Sequence, residues 1–391
     1  MRQGQYTITS RDVYEHAAGF CQRHLRLTDH GPKCTASVLL AVLFYACARI
    51  SSLAAACASL RDAPSDTAIR NALLATLPAI NELQRRLNRA LQGDLPRALR
   101  RRRQPLAVDL TLVPYHGEHL HDPKEVYRSQ AKGGTTHFHA YATCYVIRKG
   151  RRFTLALVYV RAGDDLAGVV KALLKQAARA GVRPRYLLVD KGFYAVGVIR
   201  YLQAARCAFL MPAPAKGRKA DHPKGPSGTR LFHLRKRSGW GRHTLVGGDG
   251  RKATVRICVR CRNLRGERGR HGRQALVYAF WGMEPSSYRW VQQTYRLRFG
   301  IETTYRQLNQ ARVRTCTRDP LLRLLFVGVA LILRNIWVWL HWEVLSHPRR
   351  GKRRVDLDQL PLRALLHWLQ EVAEAIFGVK ESRRSERAWP Q

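Results

Sequence analysis

Three carboxylates stand out because their surroundings are poor company for a solvated charge. Asp109 sits in LAVDLTLV (106–113) among apolar and β-branched residues, and Asp190 closes YLLVD (186–190). Glu302 is the lone acid in the basic stretch 290–314, WVQQTYRLRFGIETTYRQLNQARVR. A core strand rarely carries a lone Asp, because burying an unpaired carboxylate is costly. Taken as one helix at ~100° per residue, 290–314 gathers Tyr295, Arg298, Glu302, Arg306 and Asn309 on a polar sector. Leu297, Ile301 and Leu308 fall on the other side as a packed face. An acid flanked by Arg, Tyr and Asn suits a metal ion held beside a phosphate. The plain alternative is a solvated, charged helix face.

The elements that must position these residues follow from periodicity. Residues 1–95 read as helices: Thr35 can cap VLLAVLFYACA, a short helix fits 50–60, and Ser65 or Asp66 can cap a third. Short helices joined by tight turns fit either a helix-turn-helix on DNA or a plain helical bundle. The run 81–99 reads as one basic helix ending in a linker. At Leu106 the pattern changes to strands 106–113, 138–147 and 153–160. A helix from about Asp165 carries apolar residues at i, i+3, i+4 and i+7, and strand 186–190, helix 196–205 and strand 207–212 follow. Three antiparallel strands and then a strand reached by a crossover helix predict a ribonuclease-H-like α/β fold with a mixed five-stranded sheet. That fold makes the strands of Asp109 and Asp190 neighbours, which favours a metal site over two independent turn or cap residues.

The expected domains are a helical DNA-binding region with a basic linker (1–104), a catalytic domain (105–212 and 287–345), a basic β insertion (213–286) built from strand-like pieces including LFHL, and a C-terminal helical region with a tail (346–391). The segment 321–342 is expected to cover the catalytic core. The 391 residues carry a formal charge of +42, from 69 Lys and Arg against 27 Asp and Glu, yet 46% of residues are hydrophobic. This is a folded chain suited to a polyanion, and not a disordered basic tail. Arginine and lysine clusters at 97–103, 148–152, 216–224, 251–273 and 349–354 point to an extended path along duplex DNA. No signal peptide and no charge-free apolar run of ~18 residues is evident, so the chain reads as cytoplasmic, nucleoid-associated and without a membrane.

Nine scattered Cys fit reduced thiols. Cys258 and Cys261 lack a second pair, and their setting TVRICVRC reads as a strand. His116, His119 and His121 fall in a polar loop where solvated His is common. Trp240 and Trp281 read as packing residues of the insertion, with stacking on an exposed base as the alternative. Lys191 either meets a phosphate or reaches solvent.

The three acids with their flanking motifs resemble a DDE transposase of a cut-and-paste insertion sequence. The likeness rests on Asp109 in AVDLT, Asp190 in LLVDKGFY and Glu302 in Y-x-x-R-x-x-x-E, and it spans roughly 105–340. Tyr295, Arg298 and Glu302 match the first three positions of the Tyr-Arg-Glu-Lys signature group. Asn309 stands where the fourth residue is Lys, with Arg306 and Arg312 as stand-ins for its phosphate contact. FGIETTYRQLNQAR, with DLT and DKGFY, also resembles the halobacterial insertion-sequence transposases. The resemblance implies that Asp109, Asp190 and Glu302 hold two Mg²⁺ ions, with Mn²⁺ able to substitute, and that Tyr295 and Arg298 position the scissile strand. It further implies transposon ends and target DNA as partners, a homodimer on paired ends and a hairpinned end. A non-catalytic DNA-binding remnant or repressor, and a structure-specific nuclease, are the competing readings.

Overall fold

In chain order the helices are α1 (Ser10–Leu25), α2 (Ala36–Ala48), α3 (Leu53–Ser59), α4 (Asp66–Thr76), α5 (Ile80–Leu91), α6 (Arg97–Arg101), α7 (Leu166–Arg179), α8 (Val196–Ala204), α9 (Arg230–His233), α10 (Tyr288–Arg296), α11 (Gly300–Gln310), α12 (Pro320–Trp339) and α13 (Leu362–Phe377). The strands are β1 (Gln104–Pro114), β2 (Tyr127–Lys132), β3 (Thr135–Val146), β4 (Thr154–Val160), β5 (Pro184–Val189), β6 (Phe209–Pro212), β7 (Gly239–Val246), β8 (Lys252–Arg265), β9 (His271–Trp281), β10 (His347–Arg349) and β11 (Lys352–Arg354). The computed structural model describes residues 7–148, 150, 152–265, 271–349 and 352–380; the side chains of 264, 265, 271, 301–304, 348, 349, 352 and 353 lie outside that description. Two compact units result. One gathers Met1–Asp94, Tyr115–Glu125 and Tyr305–Gln391, and the other Leu95–Pro114 and Val126–Thr304.

In the helical unit, local capping chemistry sets where helices begin. Thr9 and Asp12 form a reciprocal capping box on α1, and Thr35, Ser52 and Ser65 accept backbone N–H bonds at the starts of α2, α3 and α4. The run 81–99 is not one helix: α5 stops at Leu91, and α6 begins only after Pro96. A Cβ at Gly93 would lie 2.9 Å from the Phe20 ring, so the break admits close packing that only glycine permits. Asp319 caps α12, which packs against α5 and α1 and includes Arg323, Arg334 and Asn335 among its buried residues. By length and hydropathy α12 could cross a membrane, but 94% of its apolar window is buried inside the protein, as befits a core helix. It groups with the helical unit.

The second unit is built on one nine-stranded sheet in the order β2-β3-β1-β5-β6-β9-β8-β7, with β4 also paired to β3. β1 is antiparallel to β3 and parallel to β5, and β5 is parallel to β6. The parallel pairs need crossovers, supplied by α7 after β4 and α8 after β5. Asp165 caps α7, and Val169, Val170, Leu173 and Ala177 form its buried stripe, with ~1.5–3 kcal/mol per fully buried Val or Leu. The sheet does not end at five strands. β9 pairs antiparallel with β6, and β8 and β7 follow, so the excursion 213–281 extends the same sheet because the β6 edge was free to pair. Within it LFHL is part of the helical turn α9 and not a strand. Cys258 and Cys261 lie on β8 three residues apart and so point to opposite sheet faces.

Candidate active site

The register of β1 determines where the first two acids stand. Val108 pairs with Val189 in the parallel ladder, so the next residues on the two strands, Asp109 and Asp190, stand side by side. Asp109 is still inside β1, opposite Thr143 of β3, whereas Asp190 is the first residue beyond β5 and leads into the 3₁₀ turn Lys191–Phe193. One side chain is therefore in the sheet interior and the other at its lip. Asp109 has 12% of its side chain exposed and Asp190 has 34%.

A guanidinium joins them. Arg298 Nη2 lies 3.2 Å from Asp109 Oδ1 and 3.0 Å from Asp190 Oδ1, with only 11% of the Arg298 side chain exposed. The Leu110 backbone N–H also donates to Asp109 Oδ1, at 2.8 Å. The Arg298 guanidinium carbon is 5.7 Å from the centre of the Tyr295 ring, and the Tyr295 hydroxyl donates to the Val189 carbonyl at 3.5 Å. Tyr295 and Arg298 thus lean on the C-terminal end of β5, beside both acids.

Burial pushes the Asp109 carboxyl up to about 6; Arg298 opposes this and Asp190 adds to it. Desolvation outweighs the ion pair, as expected for a carboxylate taken out of water. For Arg298, burial disfavours the charge, but the attraction of Asp109, Tyr295 and Asp190 outweighs it, so its pKa is raised. Burial also raises the Tyr295 phenol, which stays protonated at neutral pH.

The stretch 290–314 departs from the single helix expected of it. α10 ends at Arg296, a 3₁₀ turn covers Leu297–Phe299, and α11 starts at Gly300. The tighter turn changes the phase of the faces. Leu297, expected on the packed side, is 49% exposed and Phe299 is 48% exposed, while Tyr295 is 6% exposed. Tyr295 and Arg298 face inward because they cover the buried carboxylates. Leu308 is buried as expected, and Ile301 lies among the side chains outside the description.

Asp109, Asp190, Tyr295 and Arg298 are thus brought together within one unit. The backbone of Glu302 is helical, in the first turn of α11, and its side chain lies outside the described residues. Lys191 is exposed in the turn after Asp190. Arg306 and Asn309 are exposed on later turns of α11 that group with the helical unit, and Arg312 is buried there. His116, His119 and His121 are all exposed. Among the described residues no three His, Cys, Asp or Glu converge on one point. The donor set still fits a hard divalent cation, because two carboxylate oxygens converge on a point now balanced by a guanidinium nitrogen.

Sequence reasoning missed two neighbours. Tyr141, Thr143 and Tyr145 of β3 lie on the same sheet face as Asp109, and all are buried. Their alternation with Ala140, Ala142 and Cys144 was the available signal. The second is Arg152, against whose guanidinium Gly300 packs so closely that a Cβ would sit 2.8 Å away. Burial lowers the Arg152 pKa, with Tyr145 acting in the opposite sense. No periodicity reveals that contact, which joins distant segments.

A sequence family described as Transposase DDE domain matches residues 100–336, more than half of the chain. No curated protein sequence matches. Among solved structures, the cryo-EM structure of a piggyBac transposase synaptic complex with hairpin DNA is similar at a TM-score of 0.56 and 10% identity, over 96% of this chain and 82% of that one. At that identity the likeness is one of fold, and it agrees with a mixed sheet flanked by helices. With the extent of the family match, the chain belongs to the transposases of the DDE domain family.

Proposed function

We propose that this transposase cuts the ends of its element and joins them to target DNA by metal-dependent phosphoryl transfer, with Asp109, Asp190 and Glu302 as the ligands. The observation that supports this reading is the convergence of Asp109 and Asp190 on one cationic group. Divalent ions held there, Mg²⁺ or Mn²⁺, would supply activation of the attacking oxygen and stabilisation of the leaving one. The chain's own residues do the rest. The sheet fixes Asp109, the 3₁₀ turn places Arg298, and Tyr295 holds that turn against β5. Arg298 balances the acids in the absence of metal and, once other cations do so, becomes available to a phosphate of the scissile strand. Lys191, Arg306 and Asn309, all exposed, are assigned as further DNA contacts, each within its own unit. We assign the chain to the Tyr-Arg-Glu-Lys group near the halobacterial insertion-sequence transposases, acting as a homodimer on paired ends.

The test is incubation of the purified protein with duplexes carrying the ends that flank its gene, with Mg²⁺ or Mn²⁺. Expected products are 3′-hydroxyl ends and joined target DNA. Asp109→Ala, Asp190→Ala and Glu302→Ala should each abolish both while leaving DNA binding intact. Cutting at the wild-type rate by all three variants would overturn the assignment, and binding without any cutting by the wild type would favour a repressor or remnant.

A further inference from the structure

The start of β1, five residues before Asp109, opens on a different kind of site. Arg100, Arg101, Arg102, Arg103 and Arg183, with Gly181, line a cavity of about 490 Å³. All five arginines are exposed, and none has a carboxylate partner among the described residues. Some arginines elsewhere do have an acid: Arg86 pairs with Glu82, Arg256 with Glu284, and Arg298 with two Asp.

The cluster is held in place. The buried Gln104 side chain donates from Nε2 to the carbonyls of Arg102 at 2.9 Å and Leu99 at 3.2 Å. Its backbone N–H donates to the Arg183 carbonyl at 2.8 Å, tying the arginine run to the start of β5. Gly181 adopts φ +74°, and a Cβ there would sit 3.4 Å from the Arg100 stem, which lies flat across the turn. Like charges fixed this closely repel one another unless an external anion neutralises them.

We propose that this cavity binds consecutive phosphates of duplex DNA, apart from the phosphate that reacts. Guanidinium forks match phosphate oxygens in pairs. Five of them exceed what one phosphate can neutralise, which points to a run of phosphodiesters and not to a small free anion. Asp109 lies five residues along β1 from Gln104, which is ~17 Å at the rise of a strand. That distance corresponds to about five base-pair steps at 3.4 Å each. This inference rests on the proposed DNA-cutting function.

The salt dependence of duplex binding tests it. Wild type, Arg102→Gln, Arg183→Gln and the double variant are titrated with a short end-containing duplex at several salt concentrations, and thermal melting checks that each is folded. Loss of two phosphate contacts should reduce the slope of log K against log[salt] by roughly 2, at ~0.9 per contact. Arg102→Lys should keep the slope close to wild type. Cutting of fully bound DNA at low salt should be unchanged in every variant. A wild-type slope in the double variant would overturn the proposal and leave the DNA-cutting reading standing. A wild type that shows no salt-dependent binding would overturn both.

Discussion

The middle and the start of β1 treat charge in opposite ways. Around Asp109, one carboxylate inside the sheet and one at its lip share one largely buried guanidinium. Around Gln104, five guanidinium groups stand exposed without a carboxylate among the described residues. Desolvated charge is expensive, and a fold retains it where a reaction or a ligand will use it. Exposed like charge costs little and lacks only its partner. On the proposed reading, the middle of the strand serves chemistry and its start holds a polyanion.

Substitution of the acids should break this contrast most strongly. Asp109→Asn or Asp190→Asn is expected to slow strand cutting roughly 1000-fold or more, the scale of about 4 kcal/mol of transition-state stabilisation. Duplex affinity should hold or rise slightly, since the change removes negative charge. If affinity collapsed and cutting of bound DNA persisted, the roles of the two sites would be exchanged.

Removing the shared cation comes next. Arg298→Leu leaves two acids without their partner, and loss of one member of a buried pair costs about 3–5 kcal/mol. The partial exposure of Asp190 favours the lower end of that range. Denaturant unfolding in EDTA reads the loss, and added Mn²⁺ should restore some of it. An equally stable variant in EDTA would show that Arg298 does not balance the acids. Arg102→Leu, at the arginine cluster, should leave stability unaltered.

The third prediction concerns pH. The folded Asp109 holds its proton to about pH 6, whereas an unfolded Asp releases it near ~3.9. The folded state thus binds the extra proton, so the contribution of this group is favourable at low pH and is lost as pH rises through about 6. Up to about 3 kcal/mol is involved. In the metal-free protein, Asp109→Asn should remove this loss between pH 4 and 6; an unaltered profile would place the effect elsewhere. A smaller effect is expected at Gly300. An added Cβ must push the Arg152 guanidinium aside, so Gly300→Ala should cost about 1 kcal/mol, visible as a lowered Tm.

Much of the site was legible in the sequence because its signals are local. Acids among β-branched residues mark Asp109 and Asp190, and a parallel neighbour relation follows from the order of strands and helices. The register adds what no pattern contains, that Val108 pairs with Val189 and brings the acids level. The faces of 290–314 were misread because Leu297, Ile301 and Leu308 fit an ideal helix, whereas the 3₁₀ turn at Leu297–Phe299 answers to the buried acids. The sheet's extension was hidden for a related reason. β6 is four residues long, and its pairing with β9 joins segments nearly 70 residues apart.

That extension also braces α10. The helix meets the strands in sheet order: the Tyr288 ring lies 4.6 Å from Trp240 of β7, and Tyr295 meets Tyr278 of β9 at 5.4 Å and reaches Val189 of β5. Arg298, just past it, reaches β1. Rings supplied by the excursion thus hold the helix that carries Tyr295 and Arg298 to the two acids, so a change in the outer strands is felt at the site without touching it.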